Sequence, residues 1–149
     1  MFALLSVGDH RDCRFGDYSL ARSNSKSETD MGDSFRDLVV WKRAFELSLV
    51  VYRLTSEFPA REQFGLTNQL RRASVSVASN IAEGYGRSTR GEYVQFLGHA
   101  RGSICEAQTQ LAISEALKYG SAASHRAAGT LGAEVSRMLN ALMRKLQSK

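Results

Sequence analysis

Proline occurs once in the 149 residues, at Pro59. A proline inside a helix removes a backbone donor and costs about 3 kcal/mol, so this chain can carry long uninterrupted helices. Long apolar runs are also missing. None approaches the roughly 20 residues that span a bilayer, which argues against a membrane role. The apolar start, Phe2 to Leu5, is short and has no basic residue before it, so it is a poor secretory signal. The two cysteines, Cys13 and Cys105, match no metal or redox spacing. They are expected as free thiols in a reducing cytoplasm, with Cys105 packed as a small hydrophobe. His10, His99 and His125 are the only histidines, and none has a metal-ligating partner at i+3 or i+4. The paired Glu-x-x-His signature of bundle di-metal sites does not occur. No metal and no cofactor is expected, and His99 reads as a surface or boundary residue.

What is present is a helical pattern over most of the chain. Residues 1–33 show no sustained period, and Ser19 to Ser34 is rich in Ser, Asn, Asp and Gly. Such a stretch buries too little apolar area to offset its ordering entropy, so 1–33 is expected as a disordered leader. Met31, just before the first helical pattern, is a second candidate start. Ser34 can cap a first helix, with Asp37 completing a capping-box pair. Val40, Ala44, Leu47, Val51, Leu54 and Phe58 then recur at spacings of four and three, a heptad seam. A second apolar row, Leu38, Trp41, Phe45, Leu49 and Tyr52, implies a wide buried face or a further partner. Pro59 closes this helix.

A second helix is expected from Glu62 to Glu83 on the seam Leu66, Leu70, Ala73, Val77 and Ile81. Its flank is small (Ser74, Ser76, Ala78, Ser79, Ala82), and it is ended by Gly84-Tyr85-Gly86. Ser88 or Thr89 opens a third helix on Tyr93, Leu97, Ala100, Ile104, Ala107 and Leu111, running to Tyr119. A fourth follows Ser121 to Ser124 on Leu131, Val135, Met138, Leu139, Leu142, Met143 and Leu146. Short connections between four helices impose an antiparallel up-down-up-down order. The expectation is an all-α four-helix bundle over residues 34–149.

Charge is uneven along the chain. Residues 1–30 hold four basic and five acidic side chains; the remainder holds sixteen basic and ten acidic. The whole positive excess belongs to the helical part, where it favours polyanions. The candidate phosphate contacts are Arg71, Arg87, Arg90 and Arg101, with Lys42 and Arg43 on the first helix. Arg72, Asn80, Glu83 and Glu106 read as a structural polar network that fixes helix register. Gly84-Tyr85-Gly86-Arg87 is not a phosphate loop, because it follows a helix and lacks the Gly-Lys-Ser/Thr ending. No catalytic constellation is found, and no enzyme is expected.

Several segments together resemble one family. They are Phe35-Arg36-Asp37-Leu38-Val39-Val40-Trp41, Phe58-Pro59 with Gly65-Leu66, Gln69-Leu70-Arg71-Arg72-Ala73, and above all Ser76-Val77-Ala78-Ser79-Asn80-Ile81-Ala82-Glu83-Gly84-Tyr85-Gly86-Arg87. Phe96-Leu97, Gly102-Ser103 and Glu106 complete the pattern. The chain resembles the four-helix bundle family of 23S ribosomal RNA intervening-sequence proteins, related to the accessory variability determinant of diversity-generating retroelements. The resemblance implies a bacterial homopentamer of bundles arranged as a barrel, and the second apolar row of the first helix then puts Trp41, Phe45 and Tyr52 at the subunit interface. The retroelement relatives bind nucleic acid and a reverse transcriptase, so it also implies such partners. The functional expectation is a non-catalytic, oligomeric, basic protein that binds structured RNA or an RNA–protein partner through phosphates. The alternative is a protein–protein assembly module whose arginines form intersubunit salt bridges.

Overall fold

The computed structural model describes residues 33–148. The expected leader, with Cys13, His10 and Met31, lies outside the described residues apart from Asp33. Four helices make up the described chain, with no strand among the described residues: α1 (Val39–Ser56), α2 (Leu66–Tyr85), α3 (Arg90–Ala116) and α4 (Ala122–Gln147). Each packs on two neighbours, in the cyclic order α1, α2, α3, α4, and the diagonal pairs bring no Cα atoms within 8 Å of each other. Cross-helix hydrogen bonds fix the antiparallel sense. Ser48 Oγ donates to the Ser74 carbonyl (3.0 Å), and Arg71 Nε donates to Thr55 Oγ1 (2.7 Å), so α2 descends as α1 rises. Ser76 and Ser103 share a hydrogen bond between α2 and α3. Glu57, just past α1, accepts from Ser121 N–H and the Ser124 hydroxyl at the start of α4.

The core follows the heptad seams. Val40, Ala44, Leu47, Val51, Leu54 and Phe58 are all buried, as are all six seam residues of the third helix. Leu66 on α2 and Met138, Leu142 and Leu146 on α4 are half-buried at the margin.

The helix ends differ from expectation. Ser34 and Asp37 do form a capping box, but it closes only a 3-10 turn, Phe35–Asp37. Leu38 is extended, and α1 starts after it. A second 3-10 turn, Ala60–Glu62, precedes α2, and Glu62 reaches forward to accept from the Leu66 N–H (3.1 Å). The third helix stops at Ala116, three residues before Tyr119.

Gly84 does not end α2. It lies inside the last turn, and the C-cap is Gly86 with ordinary right-handed dihedrals. The reason for glycine at 84 is a close approach. A Cβ there would sit 2.8 Å from Phe96 Cβ and 2.9 Å from Tyr93 Cδ2. The small flank of α2 thus lets α3 lie close against it.

Tyr93, in the same region, is 6% exposed, and its hydroxyl has no hydrogen-bond partner among the described residues. Burial, and secondarily Tyr85, raises its pKa above the usual tyrosine value. Below about pH 10, the ordinary tyrosine value, both folded and unfolded states keep the proton and stability is unaffected. Above it the unfolded chain ionises first, so stability falls as pH rises towards the folded-state pKa. Tyr93→Phe should therefore leave stability at neutral pH unchanged or raise it by about 1 kcal/mol, because it removes an unpaired buried polar group and keeps the ring. It should also lessen the alkaline loss. Chemical denaturation of both proteins at pH 7 and pH 11 checks this; a large neutral-pH loss in the variant would mean that the hydroxyl is satisfied after all.

Candidate nucleic-acid interface

Antiparallel order brings the start of α1, the end of α2, the start of α3 and the end of α4 to one end of the bundle. Most of the candidate cations gather there: Lys42, Arg43, Arg87 and Arg90, with Arg101 further along α3. Arg144 and Lys145 in the last turn of α4 join them. In the sequence those two stand out only as complements to the helix dipole; antiparallel pairing is what brings them to the same end of the bundle as Arg90.

The candidates are not equivalent. Arg43 is engaged twice: Nη1 meets Glu46 Oε2 (2.8 Å) and Nε meets Glu134 Oε1 on α4 (3.1 Å). The hydrogen bond Arg43 donates to Glu46 and the charge of Glu134 raise its pKa further. It ties α1 to α4 and is a weak candidate for phosphate. Arg87 pairs with Glu83 one turn earlier, and its guanidinium lies 4.3 Å from the Phe96 ring centroid. Arg71 is half-buried between α1 and α2: it bonds Thr55 and lies over the Tyr52 ring at 4.7 Å. Arg90 and Arg101 differ from these. Both are exposed, and among the described residues no carboxylate lies within ion-pair distance of either. Eleven residues is three helical turns, so the two stand on one side of α3 about 16.5 Å apart. Lys42 is half-buried and also lacks an acidic partner among the described residues.

The expected network of Arg72, Asn80, Glu83 and Glu106 does not form. Asn80 Nδ2 donates to the carbonyl and hydroxyl of Ser76 on its own helix. Glu83 is committed to Arg87. Glu106 accepts from Gln110 Nε2 within α3 (3.0 Å). Arg72 and Glu106 line one shallow cleft with Gln69, Ala73 and Ser76, without pairing. Helix register comes instead from the Ser48–Ser74, Ser76–Ser103 and Arg71–Thr55 hydrogen bonds. Cys105 is exposed rather than packed, because it lies 100° around the helix from the buried Ile104. His99 is exposed, and among the described residues no cluster of His, Cys, Asp and Glu could hold a metal.

The second apolar row of α1 forms a partly open strip. Trp41 stacks on Phe45 with centroids 5.3 Å apart and takes Phe35 edge-on at 5.2 Å. Phe45 is 37% exposed, Tyr52 47%, and Val75 on the adjoining face of α2 41%. No helix among the described residues is long and apolar enough to cross a membrane.

Two comparisons place the chain among known proteins. The family described as 23S rRNA-intervening sequence protein matches residues 36–141. A solved structure of a protein of unknown function from the S23 ribosomal protein family of Bacteroides thetaiotaomicron VPI-5482 is similar in fold. Its TM-score is 0.65 at 20% identity, and the match covers 70% of this chain and 98% of that one. No curated protein matches the sequence.

Proposed function

This chain belongs to the 23S rRNA-intervening sequence protein family, and from that premise we propose that it is a non-catalytic, oligomeric, basic protein that binds structured RNA through phosphate contacts. The observation that carries the reading is the pair of exposed cations, Arg90 and Arg101, on one side of α3 and without acidic partners among the described residues. A cation already paired must give up its partner to take a phosphate; these two need not. Lys42, Arg144 and Lys145 extend the same positive end. Phosphate contacts position a nucleic acid without reading its bases, so weak sequence preference is expected. The test is fluorescence anisotropy with labelled RNA and DNA between about 50 and 200 mM salt, where counterion release makes several contacts visible. No binding at the low end would sink this reading.

The aromatic strip supports a second element, assembly. Soluble monomers rarely leave a large contiguous apolar patch open; the half-buried Trp41 stacked on the exposed Phe45, with exposed Tyr52 and Val75, gives apolar surface that a partner would cover. Its occupant in this reading is another copy of the chain, in a closed ring of five. Light scattering at micromolar concentration should give about five times the 16.5 kDa chain mass, and Phe45→Glu should shift the protein to smaller species. A stable monomer removes the ring. In the assembled state Arg71, fixed on Tyr52 within the strip, belongs with assembly rather than with RNA, which is the observation favouring the protein–protein module as alternative. A partner protein, such as a reverse transcriptase, would compete for the same surfaces.

A further inference from the structure

The turn between α2 and α3 carries a stack that phosphate binding does not use. The Arg87 guanidinium lies over the Phe96 ring, and His99 meets that ring edge-on at 5.5 Å between centroids. Glu83 holds one Nη of Arg87 in an ion pair. Pairing offsets the arginine's charge and weakens it as a phosphate ligand. The same pairing fixes its plane. A flat cation backed by an aromatic ring is a surface on which an unstacked nucleobase can lie. Arg87 keeps 37% of its side-chain surface exposed and Glu83 53%, so both reach solvent. An ionised carboxylate only accepts hydrogen bonds. Glu83 gives Oε1 to Arg87, which leaves Oε2 for an N–H on a base edge. Arg90, three residues along and without an acidic partner among the described residues, supplies a cation for the adjoining phosphate.

We infer that the α2–α3 turn captures an unpaired purine of single-stranded RNA, with the base on the Arg87–Phe96 stack, an edge N–H on Glu83 and the flanking phosphate on Arg90. A purine covers more of the stack than a pyrimidine. A base inside a duplex is already stacked and paired, so it cannot enter. The inference rests on the nucleic-acid reading above but adds a preference that phosphate contacts alone do not give.

The test uses the full chain and one RNA carrying 2-aminopurine, offered single-stranded and as a duplex. Stacking quenches 2-aminopurine fluorescence. The expected result is quenching with the single strand only, and single-strand affinity about tenfold above that of the duplex, a size typical of one stacked base. Arg87→Lys keeps the charge and loses the plane. It should remove the quenching and the preference while duplex binding and its salt slope stay unchanged. Equal affinity for the two forms, or undiminished quenching in Arg87→Lys, overturns the inference and leaves the nucleic-acid reading standing. Absence of all binding overturns both. Should Arg87→Lys lower the melting temperature, the quenching and preference of the parent protein decide alone, since they need no variant.

Discussion

Gly84→Ala should destabilise the bundle by about 2 kcal/mol, the net of two opposed effects. Alanine in place of glycine inside a helix gains about 1 kcal/mol in propensity. Against that, the new methyl would meet Phe96 Cβ at 2.8 Å, Tyr93 Cδ2 at 2.9 Å and the Tyr93 carbonyl at 3.3 Å. Two of those atoms are backbone or directly attached to it, so no side-chain rotation relieves the clash. Overpacking of this kind costs about 1–3 kcal/mol and sometimes more, and the rigid partners put Gly84 at the upper end. Gly98 and Gly102 on α3 are the controls, because a Cβ at either meets nothing within 4 Å. Gly98→Ala and Gly102→Ala should each raise stability by roughly 0.5–1 kcal/mol, through propensity and the unfolded-state entropy of glycine. The three substitutions are chemically identical, all lie in helices, and are expected to differ in sign. Thermal melts of the three proteins, at roughly 4 °C per kcal/mol for a domain of this size, separate the cases. A Gly84→Ala protein that melts above the parent would show that α2 and α3 do not approach so closely. The substitution should also push Phe96 away from α2 and so disturb the Arg87 stack.

The heptad seams were legible because burial on a helix depends on the spacing of apolar residues, which is local information. Val51, Leu54, Leu97, Ala100, Ile104 and Val135 could be placed in the core from spacing alone, and each is fully buried. Gly84 was legible as special but not as what it is. A terminator and a point of close approach look alike until the facing helix supplies Phe96 and Tyr93. Ser34 and Asp37 form a true capping box, but a cap signal says that a helical turn starts, not that it continues, and extended Leu38 separates that turn from α1. The charged residues divide by range. Glu83 and Arg87 stand at i and i+4, a pairing visible from spacing, although composition and charge alone suggest a different role for each. Arg43 and Glu134 are 91 positions apart, and no local rule brings them together. Cys105 follows the seam residue Ile104 directly, so its exposure could have been read from helical phase.

Reversing Arg90 and Arg101 together, Arg90→Glu with Arg101→Glu, should lower RNA affinity by about a hundredfold or more near 50 mM salt and flatten the salt dependence. Each reversal removes two units of charge, which takes the chain from +5 to +1. With two fewer phosphate ligands per chain, the log–log slope should shrink by about 0.7–0.9 for each. In a ring every subunit is deprived of them, and the affinity gained from several subunits engaging one RNA disappears as well. Every RNA and DNA tested should weaken by a similar factor, since phosphates carry no sequence. The fold should be indifferent. Arg90 is the first residue of α3, where a carboxylate suits the positive end of the helix dipole better than arginine does. Thr89 remains as the cap, accepting from the Glu92 N–H. Arg101 is exposed and without an acidic partner among the described residues, so no ion pair breaks. Arg43→Glu is the contrasting case. It places a carboxylate against Glu46 and Glu134, and should lower the melting temperature more than it weakens RNA binding. Anisotropy and melting measured on the same samples test both halves. Parent-like affinity in the double variant would remove α3 as the phosphate-binding face, whereas an equal loss in Arg43→Glu without destabilisation would move that face towards α1.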